Sequence, residues 1–407
     1  MKIRSITYFM NVGWPMKEDR IQSAGIFLST AKKAFEEAGY EIQTTRIASV
    51  PFTRLLGADS IGLTTRFAQR LSKAIAENGI DYASLGPALP DVPESYEMIP
   101  DAIAASKNIF FSGLMADSEH GVYLPAVRSC ADVIVRNATL SPDGFANLRF
   151  AALANVPPGG PFFPAAYYDT ETPTFALALE AADLAVEAFA NARSVEEGRQ
   201  ALVKEIENHG RKLAYAAEPL KFRFNARFGG IDFSYAPYPD EAASLGAAFE
   251  RLGAPKVGLH GSLAAASILT DALDRADFHR AGFCGLMMPI LEDATLAGRV
   301  ASGALTVKDL LMYSAVCGTG LDTLPLPGDV TVEQIAALLL DVAVLSLRLH
   351  KPLTARLMPV PGKKAGDVTG FNFEYFVNSK VMGLEAEPLG RLFASNETFT
   401  VKSKLQK

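Results

Sequence analysis

The sequence predicts one large α/β domain, barrel-like, with mixed or parallel strands wrapped by helices. Three observations predict it. Short β-branched and aromatic runs alternate with stretches whose apolar residues step by three and four. No Gly/Ser-rich linker divides the 407 residues. Four apolar runs of the second half end on polar or reactive side chains: 230–237 (GIDFSYAP), 258–262 (GLHGS), 289–293 (PILED) and 317–322 (CGTGLD). In α/β proteins the ends of strands are where ligands bind.

The elements follow in order. Residues 2–10 read as a strand from their β-branched and aromatic content. Ile21, Ala24, Leu28, Ala31 and Phe35 mark a helix that Gly39 stops. Strands are expected at 40–48, 81–87, 108–115 and 146–156, with helices at 67–78, 99–106 and 120–135 between them. Residues 157–164 (PPGGPFFP) form a stiff loop, in which Phe162 and Phe163 either wall a pocket or plug the core. Helices are expected over 173–192 and 194–216, the second opened by the capping-box pattern of Ser194 and Glu197. The rhythm then resumes with strands starting near Ile231, Lys256, Gly282 and Leu353. Helices are expected near 240–252, 262–273, 306–315 and 331–350, the last two with cap-like starts at Thr306 and Thr331. The domain spans 1–385, and 386–407 reads as a loose polar tail.

Composition narrows the function. The net charge is -6, with no Lys/Arg cluster, so the electrostatic footprint for nucleic acid or anionic lipid is missing. Three cysteines are too few for a disulfide scaffold and fit a reducing compartment. The first residues lead into a strand and not a signal-peptide core. The most apolar helix, 330–350, carries Glu333, Gln334, Asp341 and Arg348 and reads as a core helix. The expected location is cytoplasmic, with no membrane association.

Several residues could carry chemistry. Asp232, Ser234 and Ala236 share one face of a strand. They look into a polar hollow, or Asp232 is held by nearby backbone. His260 sits at an expected strand tip, as acid, base or satisfied structural histidine, with Gly261 and Ser262 opening a helix whose free N–H groups favour an anion. Cys317 is a nucleophile or proton donor if its thiolate is stabilised, and otherwise a buried inert thiol. Glu292 and Asp293 either favour a helix dipole or, with Asp232 and Asp322, hold Mg²⁺ or Ca²⁺. No zinc or dinucleotide motif occurs in a usable place, so neither zinc nor NAD is expected.

Taken in order, KIRSIT at 2–7, FFPAAY at 162–167, GIDFSYAP, GLHG, CGTGLD, TARLMP at 354–359 and Gly366-Asp367 resemble the DUF711 family, also called UPF0210. The resemblance runs from about residue 2 to 380. It implies a fold like that of pyruvate formate-lyase and other glycyl radical enzymes, without their chemistry. The nearest string to a glycyl loop, 299–304 (RVASGA), has the wrong spacing and no tyrosine. The matched positions Asp232, His260, Cys317 and Asp322 are carried over as candidate catalytic residues.

The expected function is acid/base chemistry (lyase, isomerase or hydrolase) on a small anionic metabolite. Asp232, His260, Cys317 and Asp322 would be catalytic, and Ser234, Gly261, Ser262, Phe162 and Phe163 would bind substrate. Glu292 and Asp293 are the candidate ligands of a divalent cation. The alternative is a non-catalytic metabolite-binding or regulatory protein. Expected partners are a small-molecule ligand and no nucleic acid, with a homo-oligomer left open.

Overall fold

In the computed structural model, residues 1–404 are described, and eleven strands join one mixed sheet. They are β1 (Lys2–Phe9), β2 (Ile42–Ala48), β3 (Tyr82–Ala88), β4 (Ile109–Asp117), β5 (Gly121–Tyr123), β6 (Phe150–Ala154), β7 (Thr174–Glu180), β8 (Arg227–Asp232), β9 (Gly320–Pro327), β10 (Leu353–Val360) and β11 (Thr398–Phe399). The order across the sheet is β8-β7-β1-β2-β3-β4-β6-β10-β9. β1, β2, β3, β4 and β6 form a parallel block. β7 and β10 run antiparallel to its two edges, and each carries a parallel outer strand. Residues 280–289 make isolated bridges with both outermost strand regions: Ile231 with Arg280, Tyr235 with Leu286, and Pro289 with Asp322.

Helices cover the sheet, so its central strands lose their polar faces. Every residue of β7 is buried, and every residue of β10. The helix Glu18–Glu37 buries Ile21, Ala24, Leu28, Ala31 and Phe35, the residues whose spacing marks it in the sequence. Ser194 caps the helix Val195–Phe224 by accepting the N–H of Glu197 at 3.1 Å. Thr306 with Asp309 and Thr331 with Gln334 form complete capping boxes. Among the described residues no helix is long and apolar enough to cross a membrane.

Several elements differ from the sequence expectation. The helix expected over 173–192 is strand β7 followed by the helix Ala182–Ala190. The run TFALALE is apolar from Phe175 to Leu179 and buried along its whole length, so it carries neither the period of two nor that of 3.6. No strand forms at Lys256, where Gly258 and Gly261 both take positive φ in consecutive turns. None forms at Gly282 either, beyond the isolated bridges. β9 grows out of the loop that begins at Cys317, a strand the sequence reading did not place. The helix expected from 120 starts at Leu124, after β5, and the strand expected from 146 starts at Phe150. The tail is docked over most of its length. β11 pairs with β5, Arg128 donates to the Ser395 carbonyl at 3.0 Å, and the Lys404 N–H bonds the Arg348 carbonyl at 3.0 Å. Residues 405–407 of the expected tail lie outside the described residues.

Asp232 explains the path of 282–285. Its carboxylate accepts the N–H groups of Phe283 at 3.0 Å and Cys284 at 2.9 Å, drawing the loop against β8. Gly282 lies over that carboxylate with φ +67°, and a Cβ there would collide with it. Gly282→Ala is therefore expected to destabilise the protein by at least about 1–2 kcal/mol. Gly298→Ala, in a helix where nothing lies within 4 Å of the new methyl group, is expected to be neutral or mildly stabilising. Urea midpoints of the two variants check the contrast.

Candidate functional site

Charged side chains sit inside three of the strands. In β2, Thr44 and Arg46 are two residues apart and share a face. In β1 the register against β7 shifts between Ile3 and Ser5, an irregularity that turns Arg4 inward. Arg356 lies in the middle of β10, a strand otherwise without charge. These residues meet the carboxylates of Glu180, Glu292 and Asp322.

Glu292 is the hub. One of its oxygens accepts from Arg4, and the other accepts from Arg356 at 3.0 Å. The Nε of Arg356 donates to Asp322 at 2.5 Å. Arg4 also lies 3.5 Å from Glu180, whose second oxygen accepts from Gln43 at 2.6 Å. Burial alone would raise the pKa of Glu292, but the charges of Arg4 and Arg356 outweigh it and hold the carboxyl below its ordinary range. Glu180 and Asp322 go the other way, because burial prevails over their arginine partners and pushes them up.

Arg46 is the exception in this network. Its Nε donates to the Thr44 hydroxyl at 2.8 Å, and its guanidinium lies 5.0 Å from the Phe163 ring centre and 5.7 Å from that of Tyr82. Among the described residues it has no carboxylate within 4 Å, and its terminal nitrogens have no hydrogen-bond acceptor. Burial, with the positive charges of Arg4 and Arg356, depresses its pKa to about 10.

These groups surround a cavity of about 80 Å³. Its polar wall includes Arg4, Gln43, Arg46, Glu292 and Arg356, and its other wall is aromatic: Tyr82, Phe110, Phe162, Phe163, Phe373 and Tyr375. Arg4 stands near the start of β1, Tyr82 begins β3 and Phe110 is the second residue of β4. The hollow thus opens toward the amino ends of the parallel strands. The sequence reading looked to the other ends. A larger groove, about 890 Å³, lies between residues 300–311, 337–341 and 380–389. Its lining is largely aliphatic, and its Lys308 and Glu385 pair with each other.

The residues singled out from sequence separate into three groups. Asp322 belongs to the arginine network, and Phe162 and Phe163 line the cavity. Asp232 does not face an open hollow. It is fully buried, accepts from the Ser234 hydroxyl at 2.5 Å and from two backbone N–H groups, and burial raises its pKa. Ser234 in turn accepts the Gly285 N–H at 3.2 Å, so both are consumed in holding one loop. His260 is exposed on a turn and shares no hydrogen bond or ion pair with Asp232, so the expected pairing is not formed. Gly261 precedes the helix Ser262–Arg275, and the Ser262 hydroxyl is used within its own turn, donating to the Leu259 carbonyl at 2.8 Å. Cys317 is buried with its sulfur 3.7 Å from the Leu286 carbonyl.

Glu292 and Asp293, expected to hold a cation, engage different groups. Glu292 faces two guanidinium groups. Asp293 caps the helix Ala294–Ala301 through the Leu296 N–H at 2.9 Å and accepts from Ser244 at 2.6 Å. Neighbours in sequence, they point to different partners. Among the described residues no cluster of three His, Cys, Asp or Glu side chains could hold a metal.

Sequence reasoning missed Arg4, Gln43, Arg46, Glu180 and Arg356. A signal was present: an arginine in the middle of a run such as LTARLMPV has no reason to be there unless an anion waits inside. Glu292→Gln is expected to cost about 3–5 kcal/mol at pH 7, because it leaves two buried guanidinium groups without their shared carboxylate. Since the folded-state pKa of Glu292 lies below its ordinary value, its contribution is complete above about pH 4.5 and fades as pH falls through the folded value. The stability gap between wild type and variant should narrow in acid, which urea melts at stepped pH would measure.

Comparison with known proteins agrees along most of the chain. The family model described as "Uncharacterised ACR (DUF711)" matches residues 1–374. A UPF0210 protein of Acetivibrio thermocellus is 29% identical over 358 residues, covering 83% of this chain and 78% of that protein. One of Pyrobaculum aerophilum is 31% identical over 353 residues, covering 83% and 77%. One of Clostridium beijerinckii is 28% identical over 404 residues, covering 93% and 89%. The chain belongs to the DUF711 family, whose relatives carry the name UPF0210.

Proposed function

We propose that the cavity beside Arg46 binds a small anionic metabolite and performs acid/base chemistry on it, of the lyase, isomerase or hydrolase kind. One observation carries the reading. A partly buried guanidinium has no anionic partner among the described residues, while two others nearby are matched to carboxylates. A cation withdrawn from water without a counter-charge is costly, and a bound anion removes that cost. Arg46 is thus the anion-holding residue, with the rings of Tyr82 and Phe163 fixing its plane.

Glu292, the one carboxylate of the cavity wall among the described residues, is the acid/base group in this proposal. Arg4 and Arg356 hold both its oxygens and keep it ionised, the form a general base requires. Asp322 orients Arg356, and Phe162 and Phe163 exclude water from the cavity. Asp232, Ser234, Ser262 and Cys317 serve the fold, and His260 has no part in the chemistry. The proposal also takes the sheet as a ring in the manner expected from glycyl radical enzymes, with 280–289 spanning its two edges. The isolated bridges on both sides support this, and no radical step is invoked.

A second reading, binding without turnover, is favoured by the engagement of every carboxylate in the network by an arginine or glutamine. Thermal-shift screening against small anions, followed by product analysis, separates the two. Wild type should be stabilised by its ligand and Arg46→Met should not. Glu292→Asp, which keeps the charge but withdraws the carboxylate, should keep binding and lose at least about a hundredfold in turnover. A ligand that binds through Arg46 but is never consumed favours the binder. Equal shifts in wild type and Arg46→Met would sink both readings.

A further inference from the structure

We infer that the anion held at Arg46 is a short aliphatic monocarboxylate, not a phosphate and not an aromatic acid. The inference rests on the anion-binding reading above and narrows its ligand by size, charge and shape.

Size comes from the cavity. Its volume is about 80 Å³. An apolar cavity of about 150 Å³ admits the six carbons of benzene with room to spare, so roughly half that space suits about three to five non-hydrogen atoms. A carboxylate with one or two further carbons fits, and a ring bearing a carboxylate does not.

Charge comes from the pairing. Of the three guanidinium groups around the cavity, Arg4 and Arg356 are already matched to Glu292, and Arg356 also to Asp322. Only Arg46 has no carboxylate partner among the described residues. The site therefore has room for one negative charge. A second would face Glu292, which lines the same cavity and is kept ionised by its two arginines. Phosphate has a comparable number of atoms, but at neutral pH a large part of it carries a second charge, and like charges in a low-dielectric site repel strongly.

Shape comes from how Arg46 is held. With Nε committed to Thr44, its two terminal nitrogens remain as the fork that receives a planar carboxylate through two parallel hydrogen bonds. Tyr82 and Phe163 lie against the guanidinium, and Phe110 meets Phe163 edge to face. The apolar end of the ligand rests on these rings.

Isothermal titration of the full chain at pH 7 with propionate, inorganic phosphate and benzoate tests the inference. Propionate should bind saturably, at least about tenfold more tightly than the other two. Arg46→Met should weaken propionate by about ten- to a hundredfold, the range for hydrogen bonds to a charged group. If that variant does not fold, Arg46→Lys keeps the charge, loses the fork, and should weaken propionate several-fold. Phosphate binding as tightly as propionate, and through Arg46, would overturn the monocarboxylate while leaving the anion site standing. Benzoate doing so would overturn the size limit alone. No binding of any probe, or binding indifferent to position 46, would overturn this inference and the anion site together.

Discussion

Glu292 is the fixed point of the interior. Its two oxygens tie Arg4 of β1 to Arg356 of β10, strands on opposite sides of the sheet order, through a residue that belongs to neither. No apolar substitution of one member would be tolerated in isolation, because each charge is buried only on the condition that its partner is present. The cavity takes its form from this arrangement. The polar wall is rigid because it is an ion-pair network, and the aromatic wall closes over it. Of the three arginines that line the hollow, Arg46 is the one without a carboxylate partner among the described residues.

Among the polar residues of the second half, Glu292 and Asp322 join the arginine network, while Asp232, Ser234 and Asp293 bind the protein's own backbone. Asp232 and Ser234 do share a face, as the alternation of 231–236 indicates. What they face is the backbone of 283–285, which lacks regular strand pairing and needs side chains to accept its N–H groups. A buried carboxylate in a strand is compatible with a site or with a splint, and here the donors are all from the protein itself. The same holds for Asp293, whose oxygens are used by the starts of two helices, Ala294–Ala301 and Leu245–Arg251.

What could be read from the sequence was what is local. The capping boxes at Thr306 and Thr331 involve residues three apart and were legible as written. The helix Glu18–Glu37 was legible from five apolar positions. β7 was not, because a strand buried on both faces has no alternation to display, and Ala, Leu and Glu are good helix formers. The pocket was legible only in part. Phe162 and Phe163 stood out through their proline-rich setting, and Asp322 through its motif. Arg4 and Glu292 are 288 residues apart, and no local pattern announces a contact of that span. Arginines inside apolar strands were the available clue, and their carboxylate partners came from two other strands and a loop.

The parallel block β1, β2, β3, β4 and β6 is complete by residue 154. A nascent chain therefore holds the greater part of its sheet while Glu292 and Arg356 have yet to emerge from the ribosome. Until they do, Arg4 has only Glu180 to answer its charge, so the neutral interior of the finished molecule depends on segments from both ends of the chain.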